Sequence, residues 1–193
     1  ISHKTNPTKK DTDDDLLSDY DEINIHNTNP ALSDTDSDGL TDNDELTLGF
    51  DANLYDTDND GICDAEEKVI QTKSVPIFCE DKPELIGVDV EINMCGNIED
   101  NLSITNVLGK DTYNSELVGL VGAPLDISCC TDFDNAKITY KYDKSLVDDE
   151  TAAKLGVMSY NEKTGTYENK NAVVDTENGT VTFTTSHFCT IPL

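Results

Sequence analysis

A chain of 193 residues has room for one or two small domains. Forty Asp and Glu against thirteen Lys and Arg leave a net charge of −27, which argues against nucleic acid and anionic membranes as partners. No apolar run reaches the length of a membrane span, so no membrane insertion is expected.

Much of the acid sits in three twelve-residue segments: residues 11–22 (DTDDDLLSDYDE), 34–45 (DTDSDGLTDNDE) and 56–67 (DTDNDGICDAEE). Acids recur at positions 1, 3, 5, 9 and 12 of each. They are Asp11, Asp13, Asp15, Asp19 and Glu22, then Asp34, Asp36, Asp38, Asp42 and Glu45, then Asp56, Asp58, Asp60, Asp64 and Glu67. An acidic run alone is ordinarily a solvated face, but here the spacing repeats in register. Ca²⁺ is a hard cation that takes six to eight oxygens, and this is the ligand ladder of a twelve-residue calcium loop. The backbone carbonyls of Leu17, Leu40 and Ile62 fall at position 7, where such a loop draws one more ligand. Gly39 and Gly61 permit the sharp turn at position 6. Leu16 stands there in the first loop and resists φ > 0, so that loop is expected to be distorted or weaker.

The loops start 23 and 22 residues apart, the short period of an array whose units stack on their neighbours. The spacers repeat as well: Thr5-Asn6-Pro7, Thr28-Asn29-Pro30 and Phe50-Asp51-Ala52. His3 and His26 occupy equivalent spacer positions and read as structural or solvent-facing. Without metal the carboxylates repel one another, so the array is expected to fold as it binds Ca²⁺, one ion per loop. Each loop is followed by a short apolar patch, the last being Val69 and Ile70, read as a helical turn or short strand.

These residues resemble bacterial thrombospondin type 3 repeats, whose unit runs TDP…DTDGDGLSDGDE. The resemblance covers roughly residues 1–72 and implies a secreted, elongated, calcium-packed rod with little regular structure. EF-hands and dockerins fit less well: the gaps are too short for flanking helices, and dockerins typically carry two loops. The chain begins at Ile1 within a spacer-like stretch, so it is expected to be a piece of a longer secreted protein.

Six cysteines suit an oxidising, extracellular setting, and the absence of a Cys-x-x-Cys pair argues against structural zinc. A bridge from Cys63 to Cys79 would contribute about 3 kcal/mol through loop entropy, and six cysteines allow fifteen connectivities. Pro76 and Pro83 bracket a change of composition. The expected division is therefore repeats over 1–74, a linker over 75–84 and a second domain over 85–193.

In that domain Val88, Val90 and Ile92 alternate with polar residues. Further strands are expected at 102–107, 117–121, 125–129, 138–142, 157–160, 166–169, 172–174 and 181–185, with one short helix around 148–154. Many short strands between turn signals predict an antiparallel β-sandwich. The expected fold class is thus mainly β, an irregular calcium-bound repeat rod followed by an antiparallel β-sandwich.

The last strand contains Ser186-His187-Phe188-Cys189-Thr190. It is similar to the His-Phe-Ser/Thr/Cys motif of ZU5-like autoproteolytic sandwiches, a likeness of about ten residues. The resemblance implies attack by Cys189 on the Phe188 carbonyl, an N→S acyl shift, with His187 as base. The competing expectation is structural. Phe188 is then a core residue and Cys189 half of a disulfide with Cys95, Cys129 or Cys130.

The favoured function is a non-enzymatic, calcium-stiffened extracellular spacer carrying a β-sandwich docking domain. Its expected partners are other domains of the same longer protein or a protein at the cell surface. The alternative is a self-processing domain that cuts Phe188-Cys189. A carbohydrate-binding sandwich is disfavoured by the absence of Trp.

Overall fold

The first aspartate of each acidic segment ties the loop to its own backbone. Asp11 accepts the amides of Asp14 at 2.8 Å and Leu16 at 3.0 Å. Asp34 does the same with Ser37 and Gly39, and Asp56 with Asn59 and Gly61. Such turns require left-handed backbone at positions 4 and 6. Asp14, Ser37 and Asn59 have φ of 67, 70 and 61°, while Gly39 and Gly61 have 115 and 101°. Leu16 adopts φ 83° and keeps the same hydrogen bonds, so the first loop holds its shape at the cost of strain.

The computed structural model describes residues 4–80, 83–106, 125–161 and 164–188. It divides into two units, Ile1–Val69 with Cys95–Asn97, and Ile70–Met94 with Ile98–Leu193. In the first unit each loop runs into a turn of helix. These are α1 (Asp19–Asp21) continued by a π-turn at Glu22–His26, then α2 (Asp42–Leu48), then a 3₁₀ turn at Asp64–Glu66. Ser18 and Thr41 cap the first two by accepting the amides of Asp21 and Asp44. Cys63 makes no such cap, and the third turn stops after three residues.

The second unit is built from strands, of which β2, β5 and β9 bury residues at alternating positions. They are β1 (Lys68–Pro76), β2 (Leu85–Cys95), β3 (Leu102–Asn106), β4 (Leu125–Cys129), β5 (Phe133–Tyr142), β6 (Val157–Asn161), β7 (Thr166–Lys170), β8 (Val173–Asp175) and β9 (Thr180–Thr185). Two short helices, α3 (Ile98–Asn101) and α4 (Asp149–Ala152), interrupt them. A five-stranded sheet has the order β1-β2-β5-β9-β8, and β3–β4 and β6–β7 form two-stranded sheets. The pairs β2/β5, β5/β9, β8/β9, β3/β4 and β6/β7 are antiparallel.

Register aligns the apolar faces: Ile138 of β5 lies opposite Val90 of β2 and Phe183 of β9. The core cluster joins these to Leu125 and Ile127 of β4 and Val157 of β6, so all three sheets share one apolar centre. The fold is mainly β with antiparallel sheets, consistent with a sandwich after the repeats.

The sheet starts earlier in the chain than the composition suggests. Strand β1 takes in residues read as the end of the repeats and the start of the linker. It is an edge strand with Lys68, Gln71, Thr72 and Lys73, and an edge needs little apolar patterning. The strand expected at 117–121, His3 and Cys189 lie outside the described residues.

Candidate metal centre

Threonine and aspartate recur at three fixed places in every loop and build its frame. The second-position threonines Thr12, Thr35 and Thr57 each donate their backbone amide and their hydroxyl to the ninth-position aspartate of the same loop. The distances are 2.7 and 2.9 Å to Asp19, 2.7 and 2.7 Å to Asp42, and 2.9 and 2.7 Å to Asp64. Each threonine oxygen also accepts an amide from the spacer, from Asn6, Asn29 and Asp51 respectively. The fifth-position aspartates Asp15, Asp38 and Asp60 each accept the amide of Leu17, Leu40 or Ile62 at 2.8 Å.

Within this frame the carboxylates gather in two kinds of cluster. The first kind lies inside one loop: Asp11, Asp13 and Asp15, then Asp34, Asp36 and Asp38, then Asp56, Asp58 and Asp60. The second kind spans two loops. Asp15 and Glu22 meet Asp42, and Asp38 and Glu45 meet Asp64. In each cluster the candidate ligand oxygens lie within 4.8 Å of one another. The sequence reading put positions 1, 3, 5, 9 and 12 around one ion. The structure distributes them, with position 5 common to both clusters and position 9 turned to the preceding loop. Asp19 and Glu67 fall in no such cluster among the described residues.

Burial makes these groups hard to explain without a cation. Glu22, Asp42, Glu45 and Asp64 are 0 % exposed and Asp15 is 4 % exposed. Both oxygens of Glu45, both of Asp13, and one each of Asp15, Glu22 and Asp36 are buried with no hydrogen-bond partner. A buried unpaired carboxylate costs several kcal/mol. In the metal-free protein, burial and the nearby Asp36 and Asp38 push Glu45 up to about 9. Burial and Asp13 push Glu22 up to about 7, and burial and Asp15 push Asp13 up to about 6. Asp15, Asp36, Asp42 and Glu67 are also raised, in each case chiefly by burial.

These donors fit Ca²⁺. They are hard oxygens, and oxygens sharing one Ca²⁺ at 2.3–2.6 Å lie within about 5 Å of each other. Bound there, the ion would supply the positive charge that the buried oxygens lack.

Residues 11–32, 34–49 and 56–72 match the family described as the bacterial TSP3 repeat. No curated protein and no solved structure matches the chain. TSP3 repeats are calcium-binding, extracellular structural modules as a class, and the three segments are similar to them.

The second unit offers less chemistry. His187 is exposed, its amide donating to Thr185 Oγ1 at 3.3 Å while its carbonyl accepts from that hydroxyl at 2.6 Å. Phe188 stacks on Phe133 with ring centroids 4.6 Å apart and packs against the core. That is the structural role weighed for it in the sequence.

Cys63 and Cys79 form no disulfide, so the expected bridge between them is not made. The two cysteines belong to different compact units. Among the described residues no helix is long and apolar enough to cross a membrane.

Proposed function

We propose that the chain is a calcium-dependent extracellular structural module, in which TSP3-like repeats fold around Ca²⁺ and act as a stiff spacer for the β-sheet unit. The observation that carries this reading is the pair Glu22 and Glu45, closing residues of their loops, wholly buried and with oxygens that no protein group satisfies. The intra-loop clusters and the two inter-loop clusters are the places where the ions sit. Folding of the repeats then draws on metal-binding free energy, as in other small metallo-domains. The weak affinity typical of extracellular calcium modules suits this use, because calcium is abundant there. The partners in this reading are neighbouring domains of a longer protein or a protein at the cell surface.

Native mass spectrometry in calcium and in EDTA, combined with circular dichroism, tests the proposal. The expected result is several bound Ca²⁺ ions and a loss of ordered signal on chelation. A chain that binds no calcium, or whose spectrum ignores EDTA, contradicts it.

A further inference from the structure

The second-position threonine has a place in the repeats that the ligand pattern does not account for. Thr57 holds both oxygens of Asp64, through its amide at 2.9 Å and its hydroxyl at 2.7 Å. Yet Asp64 belongs to a cluster with Asp38 and Glu45, which are residues of the preceding loop. Thr35 holds Asp42 in the same way, and Asp42 meets Asp15 and Glu22. The clamp is therefore in one repeat and its beneficiary in the one before.

Both shared clusters enclose a glutamate that is 0 % exposed and has an oxygen without a partner, so each points to a ligand independently of its acid count. One lone pair of each aspartate oxygen meets the threonine. Asp42 also accepts a hydrogen bond from the Thr28 side chain. A second tie runs the same way, since Asp38 accepts the amide of Ala65 from the following loop at 2.8 Å.

We infer that Thr35 and Thr57 are positioning residues that couple neighbouring repeats: each holds in place the aspartate that its own repeat lends to the shared ion of the repeat N-terminal to it. The inference rests on the calcium reading above. It adds that loss of a threonine clamp is felt in the preceding repeat as well as in its own. Thr12 supplies the contrast. It clamps Asp19 with the same geometry, but Asp19 lies in no carboxylate cluster among the described residues.

The test compares the whole chain with Thr57→Val, Thr57→Ser and Thr12→Val, each in calcium. Native mass spectrometry counts ions, and hydrogen–deuterium exchange is read over α2, which carries Glu45. Thr57→Val is expected to weaken one ion at least tenfold and to raise exchange in α2 by a similar factor. Thr57→Ser, which keeps the hydroxyl, restores both. Thr12→Val leaves α2 unchanged.

Should Thr57→Val unfold its own loop, Asp64→Asn serves as the second variant. It keeps an oxygen for the Thr57 amide while removing charge from the cluster, and it must weaken the same ion. Full calcium content and unchanged α2 exchange in both Thr57→Val and Asp64→Asn overturn the inference. So does a Thr12→Val effect on α2 equal to that of Thr57→Val. A wild-type chain that binds no calcium overturns the calcium reading itself, which the ion count separates from the other outcomes.

Discussion

Among the described residues of the repeat unit the buried hydrophobic residues are Leu40 and Ala52, and the buried acids are Asp15, Glu22, Asp42, Glu45 and Asp64. In the sheet unit the buried residues are Val88, Val90, Ile92, Ile138, Tyr140, Val181 and Phe183, with their neighbours in one cluster. An apolar side chain taken out of water contributes about 1.5–3 kcal/mol, and the sheet unit does this many times over. Burying a carboxylate costs free energy unless something positive joins it. One region therefore has an interior complete in itself, and the other has an interior that, in the function proposed above, a cation completes. The two should respond to different perturbations, and each prediction below probes that separation.

Chelation should have the largest effect and should fall on one unit. With EDTA, amide exchange across residues 11–67 is expected to rise on the order of 100-fold, toward that of an unfolded chain. The amides of β2, β5 and β9 should keep their protection. Equal loss in both units would mean that the sheet, too, depends on metal, and the contrast would collapse.

The converse perturbation is a cavity in the sheet core. Ile138 is 0 % exposed and sits between Val90 and Phe183. Ile138→Ala should cost about 2–5 kcal/mol, read as a lowered denaturation midpoint of the sheet unit. The loss should be the same with and without calcium. A calcium-dependent loss would show that the two interiors are coupled.

How far the sequence foretold these interiors follows from the physics of each. The acid spacing survives in sequence because ligands must sit at fixed chain positions, so three loops in register were readable. Where the ninth-position aspartates go was not readable. Asp42 and Asp64 satisfy the same spacing rule whether they serve their own loop or the previous one, and contact across a repeat boundary leaves no mark on period. The threonine clamp was overlooked for a similar reason: Thr12, Thr35 and Thr57 repeat visibly, but a repeated residue does not announce its bond.

In the sheet, Val88, Val90 and Ile92 declared β2 by alternation. Of strand β1 only Val69 and Ile70 were legible, as a helical turn or short strand, because an edge strand with Lys68, Gln71 and Lys73 carries too weak a pattern. It follows that a fragment beginning at residue 85 lacks an edge strand and should be less stable than one beginning at residue 70.

Acidity should separate the units next. In the metal-free repeats Glu22 is pushed up to about 7 and Glu45 up to about 9. A raised carboxyl pKa means that the folded form holds protons which the unfolded chain has already released. The metal-free repeats are therefore most stable below the ordinary carboxylate range and lose stability as pH climbs through about 7 and about 9. Calcium must displace those same protons, so its affinity should rise with pH over that window. Titration calorimetry at pH 7 in buffers of different ionisation enthalpy should report about one proton or more released. Binding without proton release would show that the metal-free chain holds these carboxyls ionised, as an unfolded chain does.

Glu45→Gln sharpens the same point because its effect should change sign with metal. Without calcium it removes the cost of protonating a buried carboxyl at neutral pH and should stabilise the repeats. With calcium it should weaken binding roughly tenfold, about 1.4 kcal/mol. Loss of stability in both conditions would mark Glu45 as a purely structural residue.

The smallest expected effect concerns Leu16. Its side chain is 83 % exposed, so replacing it removes little packing. Its φ of 83° lies in the left-handed region that Gly39 and Gly61 occupy at the equivalent place, and holding a non-glycine residue there costs on the order of 1–3 kcal/mol. Glycine relieves that strain but gives back roughly 0.5–1 kcal/mol as entropy of the unfolded chain. Leu16→Gly should therefore stabilise the first loop by about 1 kcal/mol, read as a modest gain in its calcium affinity or as slower amide exchange over residues 11–22. The sheet unit should not notice. If the substitution weakens the first loop instead, Leu16 makes a contact in the calcium-loaded protein that its exposure here does not reveal, and strain is the wrong account of that position.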